Sequence, residues 1–208
     1  MIMLLVAAQY VSQAQETSQP AQQQTPQAQP ETPALPKAAL KTNVIYDATA
    51  TINLGVEFAL APKMTMDISG DLHPWVLPNG WRLTHYLVQP ELRFWLKERF
   101  QGHFFAVNVL GATYNAGNIR NNFHIMGRDM SALGRYRVEG IAYGAGLGYG
   151  YAVRVAKRLN VEMEIGLGYI GAEFDAYRLG EKESLYAQNS TAQYFGPTKG
   201  ALNIVYIF

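Results

Sequence analysis

Hydrophobic and polar residues alternate along most of this chain with a period of two, which predicts β-strands and not helices. In one of the clearest segments, the apolar residues Met163 and Ile165 alternate with Glu162 and Glu164. Each such strand therefore has one apolar face and one polar or small face. Eight segments of this kind are predicted, roughly at Leu40–Ala48, Ile52–Leu60, Met64–Leu72, Leu83–Leu96, His103–Asn115, Val138–Val155, Asn160–Phe174 and Ala201–Phe208.

The connections between these segments alternate in length. Short turns at one end and longer loops at the other are typical of outer-membrane β-barrels, and an even strand number places both termini at the short-turn end. Pro90 cannot donate a hydrogen bond to a neighbouring strand, so it predicts a bulge or local break in the fourth strand. The predicted short turns are Ala61–Lys63, Lys97–Gly102 and Ala156–Leu159, together with a short first hairpin near Thr49–Thr51. The predicted longer loops are Pro74–Arg82, Gly117–Arg137 and Asp175–Thr198.

This pattern predicts an all-β fold, an eight-stranded antiparallel up-and-down transmembrane β-barrel with a disordered N-terminal tether. In lipid every backbone amide needs a partner within the protein, so a spanning sheet must close with its apolar face outward. A soluble β-sandwich shows a similar alternation, which leaves that alternative open. A soluble lipocalin-like carrier is a further alternative, but it requires an apolar lumen, whereas the inward face predicted here is charged.

Charged residues of both signs occupy the predicted inward face. An eight-stranded barrel has an interior just wide enough for side chains to fill it, and charges in that interior must pair and form hydrogen bonds. Inward glycines between Gly140 and Gly150 leave room for long partners such as Arg93 and Glu57. We therefore predict a plug of salt bridges and not an open pore. The predicted lumen charge network comprises Lys41, Asp47, Glu57, Asp67, Asp71, His85, Glu91, Arg93, Glu162 and Glu164.

Composition narrows the function classes. The chain has 208 residues, of which 49% are hydrophobic and 16% are charged, and its length suits one domain with or without a tail. The net charge of +1 provides no basic field for a nucleic-acid partner. The absence of cysteine excludes a disulfide scaffold, a thiol nucleophile and Cys-ligated metal sites. No apolar run of about 18 residues follows the N-terminus, which argues against a helical membrane span.

The N-terminal residues predict a targeting signal and a spacer ahead of the barrel. Met1–Ala8 is a short apolar run of the kind found in secretory signals, and small residues before Gln15 provide a cleavage site. Because the usual basic stretch is missing, we hypothesise that the true signal begins upstream; a buried N-terminal strand is the alternative for this run. We predict a signal peptide over 1–14, a Gln/Pro-rich disordered periplasmic linker over 15–37, and the barrel over 38–208.

The last segment resembles the signal by which the barrel-insertion machinery recognises outer-membrane proteins. Apolar residues alternate up to a terminal aromatic, although Asn203 occupies a position where that signal often has glycine. A packed strand end is the alternative interpretation of Phe208. The predicted insertion signal is Leu202, Ile204, Tyr206 and Phe208. Aromatic residues toward strand ends predict interfacial girdles, with Trp75, Trp81, Trp95, Tyr46, Tyr114, Tyr151 and Tyr169 as candidates.

Motifs for catalysis, cofactor binding or metal binding are largely missing from the sequence. No two histidines have metal-ligand spacing and no HExxH motif occurs, so His85 is predicted to be a hydrogen-bonded interior residue. The glycines of Gly144–Gly148 lack the lysine and the helix of a phosphate-binding loop. A lipid-modifying hydrolase stays an alternative, for which Ser131 with His124 and Asp129 is the local set. We predict no catalytic, cofactor-binding or metal-binding residues.

Several short phrases of the sequence recur together in one known family. They are Lys41–Asn43, Tyr46–Thr49, Asn53–Phe58, Trp81, His85–Tyr86, Gln89–Trp95 and Gly102–Phe105. In combination they resemble an uncharacterised Bacteroidota outer-membrane β-barrel family, a domain of unknown function, over roughly Leu40–Phe208. The resemblance implies an outer-membrane barrel, often encoded near fimbria-like surface proteins, and it implies no catalytic residues.

These expectations combine into a predicted function. We expect a non-enzymatic protein in the outer membrane of a Gram-negative bacterium, with a structural, anchoring or surface-assembly role that the resemblance associates with fimbriae. Its expected partners are outer-membrane lipids, the barrel-insertion machinery and surface or fimbrial proteins, with no nucleic acid and no cofactor. A narrow ion or small-solute channel is the main alternative, and a lipid-modifying enzyme is a weaker one.

Overall fold

A computed structural model describes residues 35–119, 124–125, 128–129, 131–180 and 183–208. The predicted signal peptide and most of the predicted linker lie outside these residues. Within them, one sheet contains the strands β1 (Ala38–Asn43), β2 (Ile52–Ala61), β3 (Met64–His73), β4 (Arg82–Trp95), β5 (Gly102–Gly117), β6 (Tyr136–Ala156), β7 (Leu159–Arg178) and β8 (Ser184–Ile207). The other elements are the helix α1 (Val44–Ala48), the 3-10 helices Pro78–Gly80 and Ser131–Gly134, and a separate pair of two-residue strands, His124–Ile125 and Arg128–Asp129.

The sheet is a closed, up-and-down ring of eight antiparallel strands. Each strand pairs with its neighbours in sequence, and β1 closes the ring on β8 through pairs such as Leu40 with Tyr206. The predicted number, order and antiparallel arrangement of the strands are therefore confirmed. We call the interior of this ring the lumen. Its short-turn end carries the connections 62–63, 96–101 and 157–158, and its long-loop end carries 44–51, 74–81, 118–135 and 179–183.

The strands are strongly inclined to the axis of the ring. Stepping from partner to partner around the sheet leads from Ala39 through all the other strands to Gly196 on β8. The direct partner of Ala39 on β8 is Ile207, eleven residues further along the chain. A stagger of this kind accompanies strand tilts of roughly 35–45° in closed sheets.

The first predicted strand is shorter than expected, and a helix follows it. The sequence predicted a strand to Ala48, whereas β1 ends at Asn43 and α1 begins at Val44. The Asn43 side chain accepts a hydrogen bond from the Ile45 amide at 3.1 Å, which caps the helix. Asparagine is among the preferred residues at this position because its short side chain reaches the unpaired amides of the first turn.

The last strand is much longer than predicted. The sequence assigned 175–198 to a loop, whereas β7 continues to Arg178 and β8 already begins at Ser184. Polar residues and scattered apolar ones such as Leu185 and Phe195 follow one another there without a period of two, so the sequence does not mark the strand. Register shifts between Leu185 and Ser190 and between Pro197 and Lys199 further disturb the period of two.

Pro90 interrupts pairing without shifting the register. The pairing of β4 with β5 is broken at Pro90, yet Val88 still pairs with Gly111 and Glu91 with Asn108. The predicted irregularity is therefore a local break, with no extra residue inserted. Pro90 keeps its place opposite Ile68 on the other side of the strand.

The two faces of the sheet differ as the alternation predicts. On the outside, Leu147, Ile165 and Leu167 have exposed fractions of 66%, 70% and 58%. On the inside, charged and polar side chains are buried, and two small apolar clusters lie nearest the short-turn end. Within the described residues, no helix combines the length and the apolar character needed to cross a membrane.

The chain entering β1 is held by the turn that joins β4 to β5. Arg99 in this turn donates from Nε to the Pro36 carbonyl at 2.5 Å and from Nη2 to the Leu35 carbonyl at 2.9 Å. Its Nη1 donates to the Ala61 carbonyl at 3.2 Å. One guanidinium thus ties the entering chain to two short turns of the ring.

Candidate functional site

A single guanidinium lies at the centre of the lumen. Arg93 is fully buried on β4, and its Nε donates to Glu91 Oε1 at 2.7 Å. Its Nη1 donates to Glu57 Oε2 at 2.9 Å and to Glu162 at 2.9 and 3.0 Å, and its Nη2 donates to Glu164 Oε2 at 2.7 Å. The fixed fork of donors on arginine suits several carboxylates at once, which explains why arginine and not lysine fills this position.

Two lysines complete the cationic part of the network. Lys41 on β1 donates to Glu57, and its Nζ lies 3.3 Å from Asp67 Oδ1 and 3.7 Å from Glu162 Oε1. Lys199 on β8 donates to Glu91 Oε2 at 2.7 Å, and its Nζ lies 3.1 Å from Glu164 Oε1. Sequence reasoning missed Lys199 because that residue lay next to a segment interpreted as a loop. We call Lys41, Arg93, Lys199, Glu57, Asp67, Glu91, Glu162 and Glu164 the lumen network.

Neutral donors supply part of what the network needs. Its three cations face five carboxylates. The Thr65 hydroxyl donates to Glu57 Oε1, and Asn203 Nδ2 donates to Glu162 Oε1 at 2.9 Å. Burying charges is tolerated only where pairing and hydrogen bonds replace the lost water, and these contacts provide that replacement.

Small residues on β5 and β6 make room for the network. A Cβ atom added at Gly148 would lie 2.9 Å from Glu164 Oε1, and one added at Gly150 would lie 2.2 Å from Phe104 Cζ. The Arg93 guanidinium carbon lies 4.5 Å from the Phe104 ring centroid, a distance suited to a cation–π contact. The predicted space is therefore present, but it accommodates Phe104 and Glu164, the immediate neighbours of these glycines.

An apolar floor around Phe100 closes the short-turn end of the lumen. Phe100 has a positive φ of 64° and is buried together with Ala39, Val205 and Ile207. Asn160 Nδ2 donates to the Phe100 carbonyl at 2.5 Å, which fixes the turn against β7. The floor is thus built from this turn and from residues of β1 and β8.

Three residues of the predicted lumen charge network lie outside the lumen network that the structure shows. Asp47 was predicted to face the lumen, but it is exposed on α1, where it accepts hydrogen bonds from Thr42 and Asn53, so this prediction was wrong. The helix that follows Asn43 removes Asp47 from the period of two. Asp71 is buried beside a cavity of about 30 Å³, and His85 is half-buried and stacks on His73 with ring centroids 5.6 Å apart.

The predicted insertion signal lies on the outer face of the ring. Ile204, Tyr206 and Phe208 are exposed and Leu202 is half-exposed, all on the side of β8 that points away from the lumen. The recognition of this strand by insertion machinery stays a prediction.

Among the girdle candidates, Trp95 was wrongly assigned. It is 3% exposed inside the ring, where its Nε1 donates to Thr65 Oγ1 at 2.9 Å. Trp75, Trp81, Tyr151 and Tyr169 are exposed.

The structure offers no assembled metal site among the side chains it describes. Within those residues, no three His, Asp or Glu side chains form a group suited to a metal ion. The structure describes the backbone but not the side chains of Ser131, His124 and Asp129, which formed the local hydrolase set in the sequence.

Comparison with protein families finds a match over residues 2–208. The matching family is described as protein of unknown function (DUF3575). The chain belongs to this family. The match includes the predicted linker as well as the ring, so it extends beyond the span of the resemblance seen in the sequence. Comparison with curated proteins and with solved structures found no match.

Proposed function

We propose that this DUF3575 member is a non-enzymatic outer-membrane β-barrel that serves as an anchor or structural element at the surface of a Gram-negative bacterium. The observation that carries the proposal is the contrast between the two faces of the ring. A fully buried Arg93 bonds four carboxylates inside, while the exposed outer wall presents side chains such as Leu147 and Ile165. In water this arrangement is costly, because large exposed apolar areas favour association. In lipid the same arrangement is favourable.

The filled lumen supports an anchoring role over a channel. An open pore needs a continuous aqueous path, but the lumen network and the Phe100 floor occupy the interior at successive levels. The cavity beside Asp71 has a volume of about 30 Å³, room for little more than water. We therefore propose that solutes do not pass and that the protein acts through its position and its exposed ends.

The membrane-spanning part of the proposal can be tested with single-cysteine variants, because the natural chain contains no cysteine. Leu147→Cys places a labelling site on the outer wall, and Ser184→Cys places one at the start of β8 near the long-loop end. We expect a fluorophore attached at position 147 to be quenched strongly by lipids brominated on their acyl chains and a fluorophore attached at position 184 only weakly. Equal quenching at both positions, or recovery of the protein in the soluble periplasmic fraction, would overturn the proposal.

The closed lumen and the anchoring role require separate measurements. Refolded protein in planar bilayers should show no discrete conductance, and discrete conductance would favour the channel alternative. Crosslinking in intact cells followed by isolation under mild detergent should recover surface or fimbrial proteins. Recovery of the barrel alone would count against anchoring.

A further inference from the structure

Six exposed cationic side chains occupy the short-turn end of the ring. They lie before β1, in the turns that join β2 to β3 and β4 to β5, and at the β6–β7 hairpin. We call them the basic collar: Lys37, Lys63, Lys97, Arg154, Lys157 and Arg158. Among the described residues of these connections, Glu98 is the acidic one. No ion pair formed by the described residues includes a collar residue.

The collar borders the apolar outer wall directly. Lys97 follows Leu96, which is 55% exposed, and Lys157 and Arg158 form the turn shortly after Val155, which is 54% exposed. Lysine and arginine side chains at such a boundary lay their carbon stems on apolar surface and extend the charge toward a polar layer. The collar therefore lies where lipid headgroups would meet the hydrocarbon layer around the outer wall.

The long-loop end lacks this bias among its described residues. There four arginines are mixed with five acids, and Arg137 is paired with both Glu139 and Glu183. The ionisable residues of that end whose side chains the structure describes are Asp47, Arg82, Arg135, Arg137, Glu139, Glu173, Asp175, Arg178 and Glu183. The positive excess of the collar is thus a property of one end and not of the whole surface.

We propose that the basic collar binds the headgroups of anionic phospholipids in the leaflet that borders the short-turn end. This inference rests on the membrane-spanning function proposed above. Basic residues near an anionic membrane surface each contribute to attraction over about one Debye length. The collar is spread over the chain before β1 and the three short connections around the ring, which suits a planar charged surface better than a compact acidic protein.

The test compares two matched sets of variants of the full chain, refolded into vesicles. Lys97→Gln, Lys157→Gln and Arg158→Gln together neutralise three collar residues, and Arg82→Gln, Arg135→Gln and Arg178→Gln neutralise three arginines at the other end. Spin-labelled phosphatidylglycerol and phosphatidylcholine report the relative association of anionic and zwitterionic lipid with the protein. Heat-dependent mobility on gels reports folding in each sample.

We expect the natural chain and the long-loop set to prefer phosphatidylglycerol at least about threefold at low salt. The collar set should fall close to equal association, and added salt should weaken the preference of the natural chain. Equal association for the natural chain, or an unchanged preference in the folded collar set, would overturn the inference while leaving the barrel intact. Collar-dependent sedimentation with purified peptidoglycan in the absence of any lipid preference would overturn it as well. Failure of the natural chain to fold in any vesicle would instead contradict the proposed function.

Discussion

Two neighbouring residues on β7 show how one strand serves two environments. Ile165 is 70% exposed on the outer wall, whereas Glu164 is 2% exposed and bonds Arg93 in the lumen. In a soluble protein the apolar residue would be inside and the carboxylate outside. Paired charge therefore fills the lumen, and the apolar outer wall fits the membrane-spanning function proposed above. The two faces should therefore respond to opposite kinds of substitution.

The largest effect is expected from Arg93→Met, which leaves four buried carboxylates without their shared partner. Removal of one side of a buried ion pair typically costs about 3–5 kcal/mol, and we expect the free energy of unfolding in detergent micelles, measured by urea titration, to fall by that amount. The matched control is Phe94→Leu on the outer wall, where a change below about 1 kcal/mol is expected. Partial rescue by added Glu162→Gln and Glu164→Gln would confirm the cause. A loss as small as the control would contradict the central role of Arg93.

A charge placed on the opposite face tests the outer wall. Leu147→Arg should reduce the free energy of unfolding in lipid vesicles by about 2–4 kcal/mol, because a cation near the middle of the hydrocarbon is poorly solvated. Leu147→Ala, which adds no charge, should cost clearly less. If Leu147→Arg is as stable in vesicles as Leu147→Ala, the outer wall does not face hydrocarbon.

Lys199→Met tests the cation that sequence reasoning missed. Glu91 and Glu164 keep their bonds to Arg93 in this variant, so the loss should be smaller than for Arg93→Met. Hydrogen bonds to charged groups contribute roughly 1.5–3 kcal/mol, and we expect urea titration to show a loss of that size. The corresponding change outside the lumen, Lys157→Met, should have little effect. A neutral result for Lys199→Met would mean that the Lys199 ammonium contributes nothing essential to the lumen network.

Gly150→Ala tests the space inside the ring with a single methyl group. The added Cβ would meet the Phe104 ring at 2.2 Å, and overpacking of this kind costs about 1–3 kcal/mol. Gly111→Ala is the matched control, because no atom lies within 4 Å of the position that its Cβ would take. Phe104→Leu should restore stability to the Gly150→Ala protein if the ring is the obstacle. Equal unfolding midpoints for the two alanine variants would contradict the crowded lumen.

The period of two was sufficient to predict the facing of most strand residues, since side chains in a strand alternate between its faces regardless of their partners. It assigned Arg93, Glu91 and Glu164 to the lumen. It would also have assigned Trp95 there, two residues after Arg93, but the aromatic character of Trp95 suggested a girdle instead. The alternation of side chains along the strand therefore predicted the position of Trp95 better than its aromatic character did.

What the sequence could not provide depends on contacts between distant segments. β1 ends at Asn43, whose side chain caps α1. In the sequence Asn43 looks like one more inward-facing strand residue, and only the backbone geometry shows that the strand ends there. The first part of β8 lacks a regular apolar alternation and contains register shifts, so its pairing with β7 leaves no periodic signal. Lys199 enters the lumen because of that pairing, which is why the site prediction lacked it.

The hydrogen bonds from Arg99 to the chain ahead of β1 have a mechanical consequence. A pull applied to the N-terminal segment reaches the Leu35 and Pro36 carbonyls first, and Arg99 transfers part of the load to the turn between β4 and β5. The rest passes along β1 into its hydrogen bonds with β8 and β2. The force is thereby divided between the β4–β5 turn and the strands at the seam, so that β1 does not carry it alone.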